Sequence, residues 1–145
     1  MQVQPYLMFD GRTDEALAFY KKVLSAEVTM LMRFKENPDA GKPGAEGCGP
    51  GGMDIDPEKV MHCEFKIGST ALLASDGMCT GKPQFQGVSF ALSAPDVAKA
   101  EQWFGALGEG GQVQMPMAQT FFSERFGMVA DKFGVSWMVL VESKR

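Results

Sequence analysis

The sequence predicts an α+β fold in which the order βαβββ is used twice. Strand-length apolar runs and one helical stretch recur in the same order in each half. The halves also carry weak echoes of each other, "LAFYKKVL" against "EQWFGALG" and "KIGSTALL" against "KFGVSWMV". With 145 residues, 45% of them hydrophobic, the chain suits one compact domain or two small modules sharing a core. The modules are expected at residues 1–83 and 84–145. Each has too little core to stand alone, so the two should share a sheet surface, within one chain or by exchange between the chains of a homodimer.

The first strand is expected in "VQPYLMF", residues 3–9, closed by the turn-like "DGRT". In the following "TDEALAFYKKVLSAEV", Thr13 is placed to cap a helix and Asp14 and Glu15 suit its first turn. Ala16, Leu17, Tyr20, Val23 and Leu24 repeat at helical spacing. "EVTMLMRF", residues 27–34, reads as a strand. Residues 36–57 then break into Gly, Pro and Asp, a long loop of the kind that serves as a lid or lacks order. Gly68-Ser69 fits a two-residue hairpin turn between strands at 60–67 and 70–76. In the second half, "GVSFALS" is a strand. "PDVAKAEQWFGALG" is a helix with Pro95 in its first turn, Gly108 as its stop, and Val97, Ala100, Phe104 and Leu107 facing inward. "GQVQMPM", "RFGMVAD" and "VSWMVLV" supply three more strands, with Pro116 marking an edge or a bulge.

Composition narrows the function classes. A net charge of −4, with acids and bases interspersed, leaves no basic stripe for nucleic acid or an anionic membrane surface. No apolar run approaches the roughly 20 residues of a bilayer span. "MQVQPYLMFDGRT" lacks the basic and apolar regions of a signal peptide, so a cytoplasmic location is expected. Cys48, Cys63 and Cys79 show no CxxC spacing and read as reduced packing or loop thiols.

The stretch "VMHCEFKIGSTALLASDG" holds the only histidine in the chain. If Gly68-Ser69 is the turn, Ile67 opposes Thr70, Glu64 opposes Leu73 and His62 stands beside Ser75. His62, Glu64 and Ser75 then share one face. Met61, Cys63, Phe65, Leu72 and Ala74 take the other, apolar face, suited to the helices. Strand alternation therefore splits the apparent His-Cys-Glu cluster, and adjacent Cys and His cannot grip one ion from a regular strand. His62 is the candidate proton shuttle or hydrogen-bond donor, and Glu64 its candidate partner. The alternative is a histidine bonded to Ser75 or to a backbone carbonyl and serving structure alone.

Three phrases, "PYLMFDGRTDEALAFYKKVLSAEV", "HCEFKIGSTALLASD" and "FGMVADKFGVSWMV", together resemble the vicinal oxygen chelate superfamily of glyoxalases, bleomycin-resistance proteins and extradiol dioxygenases. Within it they resemble the PhnB-like branch, often labelled 3-demethylubiquinone 3-methyltransferase. The resemblance implies a curved mixed sheet around a cavity, with the helices on its outer face. For the superfamily's metalloenzymes it further implies four metal ligands, on the first and last strand of each module. Those positions fall here at Pro5, Ser75, Ser89 and Met138, none a good donor for a divalent first-row ion. An alignment shifted by one residue brings in Tyr6 or Asp76, still too few donors. No metal site and no cofactor are therefore expected. The Gly-rich segment 41–52 precedes no helix and matches no nucleotide-binding pattern, which argues against methyl transfer. No GxSxG appears for a Ser-His-Asp triad.

The function expected is metal-independent binding of a small, partly apolar molecule in a cavity lined by Pro5, Leu7, Phe9, Leu73, Ser75, Ser89, Ala91 and Met138. The alternatives are a metal-dependent lyase, isomerase or dioxygenase with His62 as a ligand, and a metal-free enzyme with His62 as acid or base.

Overall fold

The computed structural model describes residues 1–36, 56–77 and 82–142. Most of the expected long loop, together with Cys48 and Cys79, lies outside the described residues. The chain divides into two compact units, Met1–Pro83 and Gln84–Arg145. The elements of the first are β1 (Tyr6–Met8), α1 (Thr13–Leu24), β2 (Glu27–Arg33), a short 3-10 turn (Phe34–Glu36), β3 (Val60–Ile67) and β4 (Thr70–Ser75). Those of the second are β5 (Ser89–Ala94), α2 (Val97–Leu107), β6 (Gln112–Ala118), β7 (Ser123–Ala130) and β8 (Ser136–Glu142).

Each unit is one four-stranded mixed sheet with one helix, and the topology is the same in both. The orders are β1-β4-β3-β2 and β5-β8-β7-β6, with β1 parallel to β4, β5 parallel to β8 and all other pairs antiparallel. The fold is α+β. The hairpin register follows the turn: Gly68 takes φ +60°, and Ile67, Phe65, Glu64 and Cys63 oppose Thr70, Leu72, Leu73 and Ala74.

α1 lays Ala16, Leu17, Phe19, Tyr20 and Leu24 against its sheet. The Tyr20 ring stacks on Phe65, with centroids 6.2 Å apart and planes 8° apart, and meets Phe9 at 6.2 Å. The core of the first unit thus sits between α1 and the face carrying Leu7, Phe9, Cys63, Phe65, Leu72 and Ala74, all buried. This corrects the expected cavity lining. Leu7, opposite Ala74, and Phe9 point to the helix, and by alternation Pro5 follows them. Packing decides the face here, because the run Tyr-Leu-Met-Phe is apolar on both sides and only the helix side buries its residues completely. β1 is also shorter than expected, since only Tyr6–Met8 pair with β4.

Neither helix starts as its sequence suggests. Thr13 is not the cap of α1: it is the first helical residue, and no local side chain caps the helix. Its backbone N–H donates instead to Asp76 Oδ1 at 2.9 Å, as does Gly11 N–H at 3.1 Å, while Asp76 Oδ2 accepts from Val60 N–H at 2.6 Å. One fully buried carboxylate, at the end of β4, thereby satisfies three donors and pins the start of α1 to the start of β3. In α2, Pro95 lies outside the helix and Asp96 is the cap, its side chain accepting from Lys99 N–H at 2.8 Å. Gly108 does close α2, but through contact rather than a left-handed backbone: a Cβ there would lie 3.1 Å from Val129 Cγ2.

α2 covers the face of the second sheet that carries Val129, Trp137, Val139 and Val141, all buried. Gly127 allows close approach on this face, since a Cβ would lie 2.7 Å from the Phe104 ring. Asp131 closes the β7–β8 turn, its carboxylate accepting from Phe133 N–H, Val135 N–H and Trp137 Nε1–H at 2.9, 3.1 and 3.0 Å.

Candidate functional site

The face of the first sheet opposite α1 carries the polar residues singled out in the sequence. Pairing sets Tyr6 beside Leu73, Leu73 beside Glu64 and Glu64 beside Met30 in one row, and His62 beside Met32 in the next. Met8 and Ser75 pair on the same face. Irregular pairing between Val28 and Met30 absorbs one residue, Thr29, and so turns Met30 and Met32 onto this face. The result is a half-open wall: Tyr6, Met8 and Met30 are 45%, 54% and 40% exposed, and His62, Glu64 and Leu73 are half-buried.

Tyr6 and His62 come together above β4. Their strands lie two spacings apart, about 10 Å, and the side chains close that distance. Tyr6 Oη lies 3.1 Å from His62 Nδ1, and the rings stack with centroids 5.6 Å apart and planes at 28°. When the phenol donates to Nδ1, the imidazole presents Nε2–H outward and the phenol oxygen keeps acceptor capacity. In the other tautomer Nδ1–H donates to the phenol oxygen, the phenol O–H turns outward and Nε2 accepts. Either way the neutral pair offers a ligand one donor and one acceptor. The partners that the alternative reading offers His62, Ser75 or a backbone carbonyl, give way to Tyr6. Ser75 is itself buried, and its hydroxyl accepts from Gly77 N–H at 3.2 Å.

The other candidates are arranged as follows. Glu64 has no ion pair or side-chain hydrogen bond among the described residues. Cys63 points into the core, and burial, helped by the nearby Asp76 charge, pushes its thiol up to about 11. Ser89, Ala91 and Met138 share the face of the second sheet opposite α2, through the pairs Ser89–Ser136 and Ala91–Met138. Asp76 is committed to three backbone donors and does not face the Tyr6–His62 wall.

A metal of the superfamily kind does not fit this donor set. Tyr6 and His62 already engage each other, Ser75, Ser89 and Met138 are weak donors, and no three His, Cys, Asp or Glu side chains gather among the described residues. Spacing does not announce the Tyr6–His62 pair, because the ligand position that the resemblance implies on this strand falls at Pro5. The available signal is a tyrosine followed by Leu7, Met8 and Phe9, since its hydroxyl needs a partner or water.

A family model described as 3-demethylubiquinone-9 3-methyltransferase matches residues 1–140. The chain belongs to this family. It is 35% identical over 141 residues to Protein YjdN of Escherichia coli (strain K12), covering 97% of this chain and 95% of YjdN. Among solved structures, protein PA1353 from Pseudomonas aeruginosa is 35% identical with a TM-score of 0.78, over 99% of each chain. A PhnB protein from Bacillus cereus is 25% identical with a TM-score of 0.76, over 97% of this chain and 99% of that one. These matches bear out the sequence resemblance to the PhnB-like proteins.

Proposed function

We propose that the protein binds a small, partly apolar organic molecule on the open face of the first sheet, without a metal ion. The observation that carries this reading is the Tyr6–His62 pair, hydrogen-bonded at 3.1 Å and set among Met8, Met30, Met32 and Leu73 on a wall that α1 does not cover. A few convergent polar groups in an apolar surround are the usual make-up of a small-molecule site, and the methionines adapt to irregular ligands. Ser75 belongs to this wall as a buried hydroxyl at its base. Ser89, Ala91 and Met138 remain the candidate lining residues of the second sheet.

The donors available support a metal-free reading. The family's description names a methyl transfer, but both sheets are mostly antiparallel, unlike the open parallel sheet whose carboxyl-end crevice commonly holds nucleotide-type cofactors. Val113 and Met115 on the edge strand β6, with Phe121 and Phe122 beyond it, are exposed apolar side chains that support a homodimer as the working form. A cytoplasmic location is part of the same reading, supported by cysteines without a disulfide or metal spacing.

A second reading, a metal-free acid/base enzyme, draws on the same hydrogen bond. The neutral pair can take a proton at Nε2 while the phenol donates one, with Glu64 two residues along β3. The test is a thermal-shift screen of cell metabolites on the wild type, Tyr6→Phe and His62→Ala, alongside elemental analysis of untagged protein. Stabilisation by mass action is expected in the wild type and is lost in His62→Ala. Stoichiometric Zn, Ni, Mn or Fe that disappears with His62→Ala would instead favour the metal-dependent lyase, isomerase or dioxygenase.

A further inference from the structure

The open face of the first sheet holds a carboxylate beside His62, that of Glu64, which is without an ion pair among the described residues. Glu64 is half-buried and follows His62 by two residues, about 7 Å along the strand, with Leu73 and Met30 as its cross-strand neighbours. It makes no ion pair or side-chain hydrogen bond among the described residues. Among the described cations of this unit, Arg33, Lys35 and Lys59 are engaged elsewhere. Arg33 donates to both Asp14 oxygens at 2.9 and 3.0 Å and also to the Glu58 carbonyl. Lys35 pairs with Glu58 at 2.9 Å, and Lys59 Nζ donates to the Gly11 carbonyl at 2.8 Å. Lys66, the next residue of β3 on this face, stands opposite Glu27 and is exposed. Glu64 thus sets a carboxylate next to the apolar side chains of Leu73 and Met30, where a bound cation sheds water against a charged partner.

We propose that the ligand is a small organic cation, an amine joined by a short linker to an aromatic or apolar body. This rests on the site proposed above and names the class of molecule that it takes. The ammonium lies against Glu64, where a charge-assisted hydrogen bond replaces the lost hydration. The body lies on the rings of exposed Tyr6 and half-buried His62 and on Met8, Met30 and Met32, surfaces that also suit a cation through the electron-rich face of the phenol ring. An anionic ligand meets Glu64 as a like charge and finds no unengaged arginine on this face among the described residues.

The test uses the full chain and a matched series: 2-phenylethylamine, 2-phenylethanol and 3-phenylpropionate, each titrated by calorimetry and by methionine-methyl NMR. The amine is expected to bind about tenfold more tightly than the alcohol, with the carboxylate weakest. Glu64→Gln is expected to bring the amine down to the level of the alcohol. Equal binding of amine and alcohol to the wild type, or an amine preference that survives Glu64→Gln, would overturn the charge assignment and leave the site itself standing. Absence of binding by all three would overturn both. Light scattering on Glu64→Gln adds an independent check: a change of oligomeric state would mean that this face meets a second copy of the chain, which also contradicts the proposal.

Discussion

The two units share one topology but secure their helices in different ways. α2 is capped locally, by an aspartate adjoining the helix on its own N-terminal side, whereas α1 has no local cap and takes its acceptor from Asp76, 63 residues away from Thr13 in sequence. A local cap serves one helix end. The Asp76 carboxylate serves α1, the turn at Gly11 and the start of β3 at once, so it is a tertiary crosslink as much as a cap. The units differ equally in what they expose. The face of the first sheet opposite its helix carries Tyr6, His62 and Glu64, and that of the second carries Ser89, Ala91 and Met138. An identical frame leaves the choice of chemistry to the side chains that alternate outward.

The largest effect should come from Asp76→Ala, which strands three backbone donors in the interior and is expected to cost about 3–5 kcal/mol in urea or thermal unfolding. Asp96→Ala, removing a single exposed cap bond, is expected to cost about 1 kcal/mol. Similar losses at the two positions would remove the distinction between a crosslink and a local cap.

Next in size is the pH response of Cys63. Its thiol is held up to about 11 from 9.0 by burial first and by the Asp76 charge second. In the unfolded chain the thiol loses its proton near the lower value, so between pH 9 and 11 the folded state binds more protons and stability falls as pH rises. The whole contribution is about 1–3 kcal/mol. Denaturation across that window should show a slope that Cys63→Ala reduces, and in the wild type the native Cys63 should resist thiol reagents at neutral pH.

The smallest expected effect is at Thr13, whose buried hydroxyl has no hydrogen-bond partner among the described residues. Thr13→Val keeps the shape and removes an unsatisfied group, so it should change stability by less than about 1 kcal/mol, toward greater stability. A clear loss in thermal unfolding would show that the hydroxyl has a partner.

Much of this was legible in the chain. Periodicity placed both helices, and the Gly68-Ser69 turn fixed the β3–β4 register to the residue, which in turn separated Cys63 from His62 and Glu64. What was not legible depended on contacts distant in sequence. Nothing near Thr13 announces that Asp76 will cap α1. The face of β1 is not legible in a run apolar on both sides, and only the packing of Tyr20 against Phe9 turns Leu7 and Phe9 to the helix and not to a cavity. The Tyr6–His62 bond joins two strands separated by β4, a relation that follows from sheet order rather than from spacing.

The central claim, that the outward face of the first sheet receives an organic guest through Tyr6 and His62, is most directly tested by methionine-methyl NMR of the protein with a screened ligand. Shifts confined to Met8, Met30 and Met32, and abolished together by Tyr6→Phe combined with His62→Ala, are the expected result. Binding that survives the double substitution undiminished, or that perturbs only methionines of the second sheet, would contradict it.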